Sequence, residues 1–401
     1  MPQNKMTGNI WEPSEEQCDV LLKRLIRTDT CQPAGNEEGL VDFIIGRLPK
    51  DAEYTKLDHG QGRASLVVEL RGETKSGGWP EDGGAALIGH LDTVACGREE
   101  EWKYPPLEAY TEDGVMYGRG TADMKGGVAA MILAMEKLWE ERHLLEKSVY
   151  FCFTADEEYK GLGIQMIAET GLLSGVEEVI ICEPSDEQIS ICEKGAVWLS
   201  ALVKGAAAHA SRPELGINAA EIAYAFAGRM KRYLESAREH PILGRASVSV
   251  TKIKSGIMTN MIPPEAEIVL DIRTVPGISC DEVKEHAEKI RQALQAEHPG
   301  AGISIETLNC RPAVGTKESD EKVKRILSLA QEMGLSGIPR GTHFYTDASQ
   351  LIPILPVPFV IAGPGDDRQA HCTDEHVEIG SVARFAAFYR QYIADHYMSC
   401  L

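Results

Sequence analysis

The chain has ten cysteines but no C-x-x-C pair, and at 401 residues it is too long to depend on a disulfide framework. Cys152, Cys182 and Cys192 lie in apolar, strand-like runs, where buried free thiols of a reducing cytosol are expected. No apolar run approaches the roughly 20 residues of a membrane span. The opening Met1-Pro2-Gln3-Asn4-Lys5 lacks a basic-then-apolar signal pattern. Cations are scarce as well: 41 Lys and Arg stand against 61 Asp and Glu, a net charge of −20. That balance argues against nucleic acid and anionic membranes as partners, and the buried free thiols make a cytoplasmic protein the expectation. No internal repeat or low-complexity segment is present. Apolar content of 43% and charged content of 25% are those of a globular protein. The length implies two domains, or one large domain with an insertion.

What the chain does have is acids and histidines where apolar runs end. Ala85-Ala86-Leu87-Ile88 has the composition of a buried strand, and Gly89-His90-Leu91-Asp92 follows it. Positions i and i+2 of an extended segment point the same way. At the C-terminal end of a strand, Asp92 either binds a metal or orients His90 by accepting its second ring N–H. Residues 149–153 form a second such run, followed by Thr154-Ala155-Asp156-Glu157-Glu158. Adjacent acids can divide the work, one binding metal while the other handles protons. Residues 179–182 form a third run, ended by Glu183. One acidic strand end is an ordinary exposed turn. Several of them with a histidine would place an acidic cluster at one rim of one sheet.

The stretch Gly118-Arg119-Gly120-Thr121-Ala122-Asp123-Met124-Lys125-Gly126-Gly127 invites a phosphate-loop reading. The spacing refuses it. Asp123 stands where G-x-G-x-x-G has its third glycine, and no G-K-[ST] follows. Two readings stay open: a glycine turn before a helix over 128–138, or glycines that aim the Asp123 carboxylate inward. A carboxylate can bridge two metals, which a neutral imidazole cannot. Elsewhere, helices are expected over 14–28, 36–48, 164–172, 317–333 and 381–397, with strands at 64–70 and 356–362. Residues 77–84 read as a Gly/Asp-rich turn, 97–118 as a long surface loop, and 341–349 as a polar loop.

From about 196 to 310 the pattern is strand (197–204), helix (215–237), strand (246–253), strand (266–273), helix (280–296) and strand (303–308). That βαββαβ order is the ferredoxin-like split unit, read here as an inserted domain. It carries His209, Asn260, and Asp271 beside Arg273.

In order and spacing, these motifs resemble the M20 family of co-catalytic zinc aminoacylases and carboxypeptidases, over residues 89 to 379. The resemblance implies an α/β fold: a zinc-hydrolase α/β/α catalytic domain from residues 1–195 and 311–401, with an inserted ferredoxin-like lid and dimerisation domain at 196–310. It implies two Zn2+, with Co2+ or Mn2+ as substitutes. His90 and Glu183 would bind the first ion, Glu158 and His371 the second, and Asp123 both. Asp92 would orient His90. Glu157 would be the general base, taking a proton from the metal-activated water and returning it to the leaving amine. His209 would stabilise the oxyanion in the neighbouring subunit of a homodimer. Asn260 and Arg273 would hold the substrate carboxylate, and Gly363-Pro364-Gly365 would lie near it. A structural ion pair with Asp271 is the other reading of Arg273. The Ala370-His371 order and Glu375 favour His371 over His376, and His343 reads as a loop residue. Cys96 and Cys372 stand near ligands without matching a ligand position. Ser211 and Ser349 lack a Ser-His-Asp arrangement.

The implied reaction is hydrolysis of the amide of an N-acyl amino acid, as in acetylornithine deacetylase or a desuccinylase. A carboxypeptidase or dipeptidase cutting short peptides with the same site is the second reading. Thr346-Asp347-Ala348 departs from the serine-aspartate-glycine pattern of a typical desuccinylase, which counts against that member. Glu183, in place of Asp, leans toward the deacylases. A non-catalytic relative would have lost a ligand or the base, and here every such position is filled.

Overall fold

Uninterrupted apolar runs make buried strands, and the computed structural model, which describes residues 10–72 and 83–399, joins them into one sheet. The chain divides into two compact units. The first runs to Ile191 and resumes over Thr316–Arg340 and from Thr346. Across its sheet the strands follow the order Glu53–Gly60, Arg63–Leu70, Ser148–Thr154, Gly83–His90, Glu178–Ile181, Phe359–Ile361 and Ile189–Glu193. Ser148–Thr154, Gly83–His90, Glu178–Ile181 and Phe359–Ile361 run parallel. Parallel strands are covered on both faces, and every residue of Gly83–His90 is buried. The register positions the chemistry. His90 pairs with Thr154, and Ile88 with Ile181. The residues that follow Thr154 and Ile181 therefore emerge at the same end of the sheet as His90.

Helices Glu15–Ile26, Gly126–Glu140 and Ile379–Tyr397 pack on one another. Leu22, Leu25, Ile132, Phe385 and Phe388 are buried there, each contributing about 1.5–3 kcal/mol. The first helix begins at a capping box, with the Gln17 N–H donating to Ser14 Oγ at 3.2 Å and the Ser14 N–H to Gln17 Oε1 at 2.9 Å. No helix among the described residues is long and apolar enough to cross a membrane.

The second unit is Cys192–Gly315 with Gly341–Tyr345. Its antiparallel sheet is ordered Ser247–Ser255, Glu265–Thr274, Gly195–Lys204, Gly302–Arg311. Helices Ala219–Ser236 and Cys280–Glu297 pack on it, giving the βαββαβ order.

Some stretches differ from expectation. Residues 97–118 are not all loop: Tyr110–Glu112 and Val115–Tyr117 form a hairpin, and His376–Glu378 joins it. Asp113-Gly114 makes the turn with positive φ at both residues, a short-range signal present in the sequence. The helix expected from 215 starts at Ala219, because Asn218 Oδ1 accepts from the Ala220 N–H at 3.1 Å. The helix expected from 317 starts at Glu321, where Asp320 caps it. The last buried strand is shortened to Phe359–Ile361, since Pro356 and Pro358 have no N–H for a ladder. The polar loop at 341–349 contains the end of strand Pro339–Thr342 and the start of a helical turn, Ala348–Leu351. Of the turn expected at 77–84, residues 77–82 lie outside the described residues, as do Met1–Lys5.

Close packing beside the parallel strands leaves a glycine no substitute. A Cβ on Gly127 would sit 2.0 Å from the Cys182 carbonyl oxygen. Gly127→Ala is expected to lower stability by about 1–3 kcal/mol, read as a shift in the urea midpoint. Gly46→Ala is the control, because a Cβ there meets nothing within 4 Å.

Candidate active site

Strand Gly83–His90 carries His90 into the interior, where 1% of it is exposed. Nδ1 lies 2.9 Å from the Asp92 backbone carbonyl and 3.6 Å from its Oδ1. The carbonyl is thus the nearer acceptor for an Nδ1–H, where the sequence pointed to the carboxylate, and Nε2 is left facing the acids. The Asp92 carboxylate is engaged with backbone instead. Oδ1 accepts from the Glu157 N–H and Oδ2 from the Glu158 N–H, both at 3.1 Å. Gln32 Nε2–H also donates to Oδ2, at 2.7 Å. Asp92 therefore fixes the Glu157-Glu158 turn. Asp156 opens that turn with φ +66°, a left-handed conformation that Asp tolerates, and Arg63 pairs with its carboxylate.

Asp123 leaves the glycine stretch with its two oxygens facing different histidines. Oδ1 is 3.0 Å from His90 Nε2, and Oδ2 is 3.4 Å from His371 Nε2. Burial opposes its charge, but the hydrogen bonds from His371 and His90 win and hold its carboxyl well below the usual range. The backbone of this loop is fixed by Glu375. Its Oε1 accepts from the Ala122 and Asp123 N–H groups, and its Oε2 from the Gly120 N–H, all at 2.9 Å. Arg119 Nη1 completes the shell at 2.5 Å. Burial pushes the Glu375 carboxyl up to about 7, against the pull of Arg119 and the backbone donors.

Glu158 meets His371 on the far side of Asp123, with Oε2 2.9 Å from Nε2. Glu183 follows strand Glu178–Ile181, and its Oε1 is 3.4 Å from His90 Nε2. Its Oε2 is buried without a hydrogen-bond partner. Ligand-type atoms of His90, Asp123 and Glu158 lie within 4.8 Å of one another, as do those of His90, Glu157 and Glu183. Burial pushes the Glu183 carboxyl up to about 8 and that of Glu157 well above the usual range, with His90 opposing both. The cluster is rich in carboxylates, has an orphan oxygen, and mixes oxygen with imidazole nitrogen. Such a donor set fits divalent cations of the zinc type.

Gly363 and Gly365 act here through backbone. The Ser185 N–H donates to the Gly363 carbonyl at 3.2 Å, and the Asp186 N–H to that of Gly365 at 2.8 Å, bracing the turn after Glu183. His376 Nδ1 faces the Asp374 carbonyl at 2.8 Å, while His371 joins the acids. In the second unit, His209 is exposed, with Nδ1 2.8 Å from Ser211 Oγ. The Ala210 N–H donates to the Asn260 carbonyl at 2.9 Å, which keeps His209 and Asn260 on adjoining segments. Arg273 holds Asp271 through Nε at 2.8 Å and Nη2 at 3.1 Å, so the ion pair considered from the sequence is formed. Gln32 and the clamping contacts of Glu375 were not foreseen. A lone amide, and an acid four residues after a histidine, are too common to stand out.

Residues 86–395 match the family described as Peptidase family M20/M25/M40. A protein named probable succinyl-diaminopimelate desuccinylase, from Staphylococcus epidermidis, is 28% identical over 366 residues, covering 83% of this chain and 86% of its own. The acetylornithine deacetylase of Proteus mirabilis is 28% identical over 356 residues, 86% of this chain and 87% of its own. In fold, a tripeptidase from Staphylococcus aureus aligns with a TM-score of 0.74 at 21% identity, over 96% of this chain and 98% of that one.

Proposed function

The chain belongs to peptidase family M20/M25/M40, and we propose that it hydrolyses the amide bond of an N-acyl amino acid with two zinc ions held at the cluster. One observation carries this reading. The two oxygens of Asp123 face His90 and His371 separately, so a single carboxylate spans two ligand sets. His90, Asp123 and Glu183 would hold one ion, and Asp123, Glu158 and His371 the other. When bound, the ions supply Lewis acidity toward the substrate carbonyl and acidify water.

The chain's own residues do the rest. Glu157 is buried beside His90 and Glu183, with its backbone fixed by Asp92. A carboxyl whose proton affinity is raised by burial suits a shuttle that accepts a proton from attacking water and returns it to the leaving nitrogen. We assign the first unit as catalytic and the second as lid and dimer contact. His209 would be the donor to the oxyanion, with Asn260 and Arg273 the hold on the substrate carboxylate. The free cysteines among the described residues support a reducing, cytoplasmic setting. The names of the relatives, a desuccinylase and a deacetylase, support an acyl amino acid as substrate. The family description favours the second reading, a peptidase acting on short peptides through the same site.

Free-amine release by the zinc-loaded protein decides between them. The panel holds N-acetyl and N-succinyl amino acids, including acetylornithine and succinyl-diaminopimelate, beside dipeptides and acyl-glutamates. Release confined to the acyl amino acids is expected, and release from dipeptides alone would replace this reading with the peptidase. Chelation should abolish release and Zn2+ should restore it. Asp123→Asn should bind less than one ion per chain by elemental analysis, where the wild type binds two. Two ions retained in Asp123→Asn would remove the bridge.

A further inference from the structure

Outside the acidic cluster, the fold brings two cysteines from distant segments together. We propose that Cys31 and Cys96 form a dithiol site that reacts with low-molecular-weight disulfides, of the glutathione disulfide class, and closes to a Cys31–Cys96 disulfide. The two Sγ atoms lie 3.5 Å apart, although 65 residues separate them in sequence. Neither is part of the cluster, and the site does not depend on the hydrolase reading.

The approach is built in on both sides. Residues next to Cys31 are tied to Thr93, with the Gln32 N–H donating to the Thr93 carbonyl at 2.8 Å and the Thr93 N–H to the Thr30 carbonyl at 3.2 Å. Thr93 Oγ1–H also donates to Cys31 Sγ at 3.4 Å. The Cys96 backbone is held by Trp102, whose Nε1–H donates to its carbonyl at 2.9 Å. Both thiols are half-buried, open to a small reagent yet fixed in place. Two cations, Arg119 and Lys125, act on Cys96.

Either sulfur can lead, because the 3.5 Å separation puts each within reach of a mixed disulfide formed on the other. One protein thiolate attacks one sulfur of glutathione disulfide, forming a mixed disulfide and expelling one glutathione thiolate. The other protein sulfur then attacks the first and expels the second glutathione thiolate. Two protein thiols are oxidised, one glutathione disulfide is reduced to two glutathione molecules, and their thiolates take up the two protons released.

The test uses the full zinc-loaded chain, glutathione disulfide, an acid quench, alkylation and peptide mass spectrometry. The Cys31 and Cys96 peptides should appear joined, with no glutathione attached. Cys31→Ser should accumulate one glutathionyl group on Cys96, and Cys96→Ser one on Cys31, because neither variant keeps a resolving partner. Cys372, exposed with its Sγ–H donating to the Arg368 carbonyl, is the reference thiol and should carry a mixed disulfide. Full alkylation of Cys31 and Cys96 in the wild type after Cys372 has reacted would overturn the proposal. So would a wild-type chain that ends with glutathione on Cys31 or Cys96. The wild-type arm needs no substitution, so a variant that misfolds leaves the test intact.

Discussion

Glu157→Ala should bind two zinc ions and lose amide hydrolysis by about 10²–10⁴-fold, the range that a positioned acid–base group contributes. The argument is geometric. Asp92 holds the Glu157 main chain, and the Glu157 carboxylate is buried within reach of His90 and Glu183. Removing the side chain leaves the Asp92 hydrogen bonds in place, since they are made to the N–H groups of Glu157 and Glu158. The proposed ligands, His90, Asp123, Glu158, Glu183 and His371, are unchanged. Elemental analysis and free-amine release on the same preparation separate the outcomes. Normal turnover would overturn the assignment. Loss of one ion along with activity would make Glu157 a ligand.

Glu375→Ala should cost about 3–5 kcal/mol of stability and weaken metal binding, without replacing any proposed ligand. The carboxylate is fully buried and accepts from Gly120, Ala122 and Asp123 N–H groups and from Arg119. Its removal strands buried donors and leaves a buried guanidinium without its counter-charge. The Asp123 backbone also loses the acceptor that fixes it, so its carboxylate loses its aim at His90 and His371. Glu375→Gln should not rescue the protein, because an amide turns a donor toward N–H groups where an acceptor is needed. Urea unfolding and zinc titration read the two effects separately. A Glu375→Ala protein with wild-type midpoint and zinc affinity would show that the loop holds its shape alone.

The parts legible in the sequence share a cause. A buried strand shows itself by an apolar run, and an acid directly after it is conspicuous, so His90, Glu157, Glu158 and Glu183 could be placed at one rim. The inserted unit was legible because the order of its elements is a chain property. The parts that were not legible depend on hydrogen bonds between distant segments. Whether His90 Nδ1 faces a carbonyl or a carboxylate of Asp92 is a matter of under 1 Å, with 2.9 Å against 3.6 Å. Gln32 reaches Asp92 across 60 residues, and Glu375 reaches Ala122 across 253. No local pattern encodes such pairings. The Asp113-Gly114 hairpin is different, because its turn signal was present and the aromatic, polar run around it hid the strands.

The Glu375 clamp also has a consequence in time. A chain emerging from the ribosome presents His90, Asp123, Glu157, Glu158 and Glu183 long before residue 375 appears. Until then the Asp123 loop lacks its acceptors and His371 has yet to be made. Early in synthesis the nascent protein therefore has His90 and these acids without the Glu375 acceptor that fixes the Asp123 loop. Both arrive together, when a single C-terminal segment delivers His371 along with the Glu375 brace for Asp123.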